Sequence, residues 1–291
     1  MLRFITFWRV VAVLALGLFA YALFSGDGEP AGPYVARHDL TGIIVLDDDR
    51  DALIRDLASD PDAAAPLLRI DSPGGTVTGA EALYEAIRKV AEVKPVIAVM
   101  GEVAASGGYL AAIAADRIVA HGNTITGSIG VIKQEVDIRG LMDLVGVQVS
   151  ERRSDVYKAR PSPFSATPAQ VAEWEDRMIG EAHEWFRGLV GDRRGLEGEA
   201  LVAVTDGRVF SGRQALERGL IDEIGGLETA RAWLVSEGVD AGLPTRKVEK
   251  PSEKVSMLRD FLDMKVAGAT VLGEMGIGRL TGGVRLLSIL R

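Results

Sequence analysis

A single serine, Ser106, stands between small residues and two glycines in the stretch Gly101-Glu102-Val103-Ala104-Ala105-Ser106-Gly107-Gly108-Tyr109. The apolar run 96–100 before it reads as a short buried strand, and the alanine-rich run 110–115 after it as a helix interior. A serine at such a strand-to-helix turn has two uses. Its hydroxyl can cap the helix. Alternatively it can attack an acyl carbonyl, with the unpaired N–H groups of the first helical turn receiving the oxyanion.

A nucleophilic hydroxyl needs a base, because it is unreactive at neutral pH. The three histidines offer little: His38 lies in a linker-like stretch, His183 sits mid-helix, and only His121, after a strand, is a candidate. A lysine can serve instead if burial keeps its amine uncharged. Lys89 and Lys94 fall on the outer face of a helix, and Lys247, Lys250, Lys254 and Lys265 fall in a C-terminal tail. That leaves Lys133 and Lys158. Lys158 follows Tyr157 in a long polar loop, residues 150–163, and could equally be a solvated surface charge.

The elements that must position these groups follow from pattern. Strands are expected at 43–46, 66–70, 96–100, 118–120 and 147–149, with a tight turn beside a strand at 125–132. Asp47 to Asp51 could suggest a divalent cation, but the acids run into Leu53, Ile54 and Leu57 and read as a helix start. A second helix from Thr78 carries Ala82, Leu83, Ala86, Ile87 and Val90 on one face. Thr167-Pro168 opens a long helix through Val171, Trp174, Met178, Phe186 and Leu189. Alternating strands and helices imply an α/β fold with parallel strands and helices outside.

The chain has 291 residues, is 47% hydrophobic and carries a formal net charge of −8, ample for one sizeable domain and unsuited to general nucleic-acid binding. With no cysteine, disulfides, thiolate metal sites and cysteine nucleophiles are excluded together, and the scattered histidines show no metal spacing. Neither a metal nor a cofactor is expected. The apolar run 10–24, extended by 4–8, approaches the roughly 20 residues that span a bilayer. Arg3 and Arg9 before it leave the N-terminus inside and send the rest across. A cleaved signal peptide is the competing reading, since Ala20-Tyr21-Ala22 fits a processing site. The expected organisation is therefore a membrane-spanning signal-anchor at 1–25, a linker at 26–40, a catalytic domain at 41–238 and a tail with an amphipathic helix at 239–291.

Five motifs occur in one order: Asp71-Ser72-Pro73-Gly74-Gly75, Ala105-Ser106-Gly107-Gly108-Tyr109, Thr126-Gly127-Ser128-Ile129-Gly130, Tyr157-Lys158 with Ser162-Pro163-Phe164, and Asp206-Gly207-Arg208-Val209-Phe210-Ser211-Gly212. In this the chain resembles the signal peptide peptidase A family, the serine–lysine peptidases of the ClpP/crotonase superfamily, over roughly residues 41–226. The resemblance implies Ser106 as nucleophile, Lys158 as general base and Ser128 as the group orienting the base. It further implies an oxyanion hole made by the N–H of Gly107 and that of Gly74 or Gly75. Asp71 reads as structural, pinning the Pro73 turn. Also implied are a homo-oligomeric ring with a shared groove, apolar peptide substrates such as remnant signal peptides, and a single-pass location in a bacterial cell membrane with the catalytic domain outside the cytoplasm. Two other readings remain open: a crotonase-like enzyme acting on acyl-CoA, which would need neither Ser106 nor Lys158, and an inactive peptidase-like membrane scaffold.

Overall fold

The computed structural model describes residues 32–249. In chain order the elements are β1 (Tyr34–Ile44), α1 (Asp48–Asp56), β2 (Ala63–Gly75), α2 (Val77–Ala91), β3 (Ile97–Ala105), α3 (Gly107–Ile113), β4 (Arg117–Ala120), β5 (Ile125–Gly127) and α4 (Arg139–Val145). They continue with α5 (Ala169–Arg194), α6 (Gly198–Val202), β6 (Val209–Ser211), α7 (Gly212–Glu217), β7 (Glu223–Ile224), α8 (Leu227–Ser236) and β8 (Thr245–Lys247). The strands form one sheet in the order β6-β5-β3-β2-β1-β8, with β4 also on β3 and β7 on β4. Every pairing is parallel except β5 with β6.

Strand β3 is forked. Its first half, from Ile97 to Met100, pairs with β4, and its end, from Val103 to Ala105, pairs with β5. The fork delivers β5 to the spot where β3 turns into α3. Residues Leu67, Leu68, Ile70, Ile97, Ala98, Val99 and Met100 are all buried, as expected of central parallel strands covered on both faces. Helix α2 buries Ala80, Leu83, Ala86, Ile87 and Val90. On another side of the sheet Ala230 and Leu234 of α8 join Val35, Ala65, Leu67, Ile97, Val99 and Val119 in a second core.

Local signals account for the boundaries. Asp47 caps α1 by accepting the Arg50 N–H, and Asp48, Asp49 and Asp51 fill its first turn, so the acidic run is a helix start. Thr76 caps α2 by accepting from Gly79. Ser211 and Gln214 form a reciprocal capping box at α7.

Several expectations shift. The first strand begins at Tyr34, inside the stretch read as a linker, and ends at Ile44, because Val35, Ala36 and Leu40 are core residues. Residues 245–247, read as tail, add β8 to the edge of β1. The strand expected at 147–149 does not form; Val147 and Val149 are exposed with no pairing partner in the sheet. No described helix is long and apolar enough to cross a membrane, and the expected anchor at 1–25 lies outside the described residues.

Tyr109 is fully buried in α3, and its hydroxyl donates to the Leu220 carbonyl at 2.8 Å. Burial pushes this phenol above its ordinary range, so it remains a donor. Tyr109→Phe leaves a buried carbonyl without that donor and should lower the unfolding free energy by about 1–3 kcal/mol in urea denaturation.

Candidate active site

Ser106 occupies the single residue between β3 and α3, with φ 54° and ψ −120°. This positive-φ backbone is rare for a residue with a side chain and costs about 1–3 kcal/mol. The surroundings impose it. The Ser106 N–H donates to the Gly127 carbonyl of β5 at 2.8 Å, while its own carbonyl accepts from Leu110 at 2.9 Å. Its side chain makes no capping hydrogen bond. Of the two uses open to the hydroxyl, the helix cap is not the one adopted.

The Pro73-Gly74-Gly75 turn ends β2, the neighbouring strand, and packs directly against this serine. Gly74 has φ 109°, and a Cβ placed on it would lie 2.8 Å from Ser106 Cβ and 2.9 Å from the Gly107 nitrogen. A Cβ on Gly75 would fall 1.7 Å from the Ile44 carbonyl oxygen. Only glycine fits either position. The Gly74 N–H donates to Ser72 Oγ at 3.1 Å, within the turn itself. The Thr76 N–H turns onto the Ile44 carbonyl at 2.9 Å. The Gly75 nitrogen lies 3.3 Å from where a Gly107 Cβ would be.

Ser106, Gly107 and Gly75 together line a cavity of about 90 Å³ whose other walls include Val77, Leu110, Ile132, Trp185 and Phe186. Ser128 follows Gly127, the residue whose carbonyl holds Ser106, and its own N–H donates to the Arg208 carbonyl at 2.8 Å. Ser128 also has positive φ, 50°. Four of the expected motifs thus converge at one end of the sheet. Their convergence depends on Ser72, on Thr126, whose buried hydroxyl donates to the Ala104 carbonyl at 2.6 Å, and on the Arg208 carbonyl. None of these three was singled out from sequence, although each lies inside or beside a motif that was.

Lys158 is not among the residues that line this cavity. It is exposed in the loop after residue 150, and among the described residues no hydrogen bond or ion pair engages its amine. Lys133 pairs with the Glu175 carboxylate of α5, which the lysine holds below the usual carboxylate range. His121 lies at the end of β4, against Gly226, and lines a different cavity with Arg37 and Arg69. Asp71 is structural, though it braces β3 by accepting the Val103 N–H at 3.2 Å; the turn itself is pinned by Ser72. Among the described residues no group of His, Asp or Glu is arranged to hold a metal ion.

The Lys158 loop nonetheless has an internal clamp. Glu151 accepts from Ser162 Oγ at 2.8 Å and Ser165 Oγ at 2.7 Å, and pairs with Arg153 at 2.6 Å.

A serine set on a strained turn between a parallel strand and a helix, with glycine backbone beside it, is an arrangement that serine hydrolases use. The sequence pattern of peptidase family S49 matches residues 88–240, and the chain belongs to that family. It is 36% identical over 217 residues to a putative protease of Synechocystis sp., covering 74% of this chain and 77% of that one. It is also 36% identical over 244 residues to the chloroplastic serine protease SPPA of Arabidopsis thaliana, covering 80% of this chain and 35% of that one. The chain therefore spans about a third of the longer relative's length. Among solved structures, a ClpP1 variant from Listeria monocytogenes is 18% identical with a TM-score of 0.45, covering 66% of this chain and 92% of that one. The expected membership of the signal peptide peptidase A family holds.

The Arg153 pair and the two serine hydroxyls hold the Glu151 carboxyl down to about 2, from an ordinary 4.5. A depressed carboxyl contributes fully above its ordinary value and loses that contribution as pH falls through the interval down to about 2. Hydrogen-exchange protection across residues 150–165 should therefore fall as the solution is acidified below about 4.5. Glu151→Gln should show the weaker protection already at neutral pH, with little further acid loss.

Proposed function

We propose that this chain is a membrane-anchored serine endopeptidase that cleaves apolar peptides, such as signal peptides left in a bacterial cell membrane, through a Ser106–Lys158 dyad. The observation that carries the reading is the backbone of Ser106, held at positive φ where Ser106 lines one cavity with Gly75 and Gly107. Strain of this kind persists only where surrounding structure enforces it. Ser106 Oγ attacks the scissile carbonyl, and the lysine amine accepts its proton. The N–H groups of Gly75 and Gly107 receive the oxyanion; Gly74, whose N–H is engaged by Ser72, is the less suited of the two turn glycines. The lysine returns the proton to the leaving amine, and water opens the acyl-enzyme. Ser128 orients the base. The apolar walls of the adjoining cavity support a small apolar side chain before the scissile bond.

The exposed position of Lys158 supports a site completed between subunits, with the lysine loop of one copy reaching the Ser106 of the next. The segment carrying α4 fits such a role. No residue of α4 is buried, and Ile132, Leu141, Leu144, Val145 and Val147 present apolar surface. Exposed apolar surface of this extent is the mark of an interface. The apolar run at 10–24 supports the anchor, with the catalytic domain on the extracytoplasmic side.

Ser106→Ala and Lys158→Ala should each lower hydrolysis of an apolar fluorogenic peptide by at least about 10⁴-fold. A fluorophosphonate should label Ser106 in the folded protein. Co-expression of the two inactive chains separates the arrangements: partial activity returns if serine and lysine come from different subunits, and none returns if they come from the same one. A lysine base acts only when uncharged, so kcat/KM should rise from neutral into alkaline pH, and a flat profile would remove lysine from the role.

A further inference from the structure

Arg50 lies in the first turn of α1, remote in sequence from every motif of the site. Its side chain is only 11% exposed, and that of its ion-pair partner Asp51 is 2% exposed. Nε donates to Asp51 Oδ1 at 2.8 Å, Nη1 to the Val45 carbonyl at 3.1 Å and Nη2 to the Gly79 carbonyl at 3.4 Å. One guanidinium thereby joins three segments: α1, the chain leaving β1, and the first turn of α2.

The second and third of these segments bracket the Gly74-Gly75 turn. Ile44, next to Val45, pairs with Gly75 in the β1–β2 ladder and accepts the Thr76 N–H. Gly79, whose carbonyl Arg50 holds, donates its own N–H to Thr76 Oγ1 at 3.2 Å. A Cβ on Gly79 would lie 2.4 Å from the Val45 carbonyl carbon and 2.6 Å from the Leu46 nitrogen, so the two backbones touch with no side chain between them. Thr76, and with it the adjacent Gly75, is held from both sides by backbone that Arg50 grips.

We infer that Arg50 is a positioning residue for the oxyanion-binding turn, fixing the Gly75 N–H relative to Ser106 by clamping the carbonyls of Val45 and Gly79. This rests on the serine-peptidase reading above. A buried ion pair is a poor source of net stability, since an apolar pair of similar volume commonly serves as well. What an apolar pair does not supply is a rigid fork reaching two carbonyls. Burial pushes the Asp51 carboxyl up, against the pull of Arg50. Arg50 is thus the partner that keeps a charged group tolerable at this position, and Asp51 in turn aims the fork.

The test replaces the whole pair, Arg50→Met with Asp51→Leu, in the full-length chain, and compares it with Arg50→Lys, Ser106→Ala and the wild type on an apolar peptide. If the clamp positions the oxyanion hole, the double variant folds and keeps its KM, while kcat falls roughly 10–100-fold, the scale of a misplaced catalytic group. Inhibition by a peptide aldehyde, whose adduct places an oxyanion at the same point, weakens in parallel. Arg50→Lys, which retains the charge but cannot grip both carbonyls, falls between. Wild-type kcat in a folded double variant overturns the inference while leaving the peptidase reading intact. So does failure of both Arg50 variants to fold, which would assign the residue to stability alone. Full activity in Ser106→Ala overturns the peptidase reading and this inference with it.

Discussion

Two chain reversals packed without an intervening side chain are the constraint on which this structure depends. One is the Pro73-Gly74-Gly75 turn leaving β2, and the other is Ser106-Gly107 leaving β3. The strands are parallel neighbours, so both reversals occur at the same end of the sheet, which is where parallel α/β folds place their sites. The contact of Gly74 with Ser106 and Gly107 leaves no room for a methyl group. Ser106 is consequently set by backbone on one side and by the Gly127 carbonyl on the other. Its unfavourable φ is maintained by the sheet.

The fork of β3 extends the same logic. β4 leaves β3 after Met100, and β5 takes over from Val103. The exchange brings Gly127 to Ser106, and Ser128 comes with it as the next residue. The antiparallel pairing of β5 with β6 then fixes Ser128 through the Arg208 carbonyl. Threonines at 124 and 126 staple the exchange by donating to the carbonyls of Gly101 and Ala104. Buried hydroxyls satisfied in this way make a strand junction specific where apolar side chains alone would permit slippage.

The site is rigid on one side and open on the other. Ser106 and the glycine turn are built on strands and a buried helix, while residues 132–160, of which Ile132 also lines the cavity, are almost wholly exposed and carry Lys158. A lysine acts as a base only once it is desolvated, and Lys158 is exposed. The apolar surface around α4 and the exposed lysine belong to the same segment. On the reading proposed here, assembly would cover the one and dehydrate the other in a single step, which would make activity conditional on oligomerisation.

Local chemistry determined a large part of this protein in advance. Glycine pairs, the small residues around Ser106, the acids that open α1 and the apolar stripe of α2 each report a constraint within a few residues, and the alternation of elements followed from them. The long helix after Thr167-Pro168 was legible for the same reason. Tertiary structure decided what depends on partners distant in the chain. Residues 34–40 look like a continuation of a linker because their apolar positions are interspersed with Arg37, His38 and Asp39, and they become strand only through pairing with β2 and β8. Residues 147–149 have strand-like composition but meet no partner, and they stay unpaired. Ser72 and Arg50 carry no distinguishing pattern of their own, since their importance lies in carbonyls and N–H groups supplied by other segments. Spacing along a chain names the groups able to react; only long-range pairing of strands sets the distances between them.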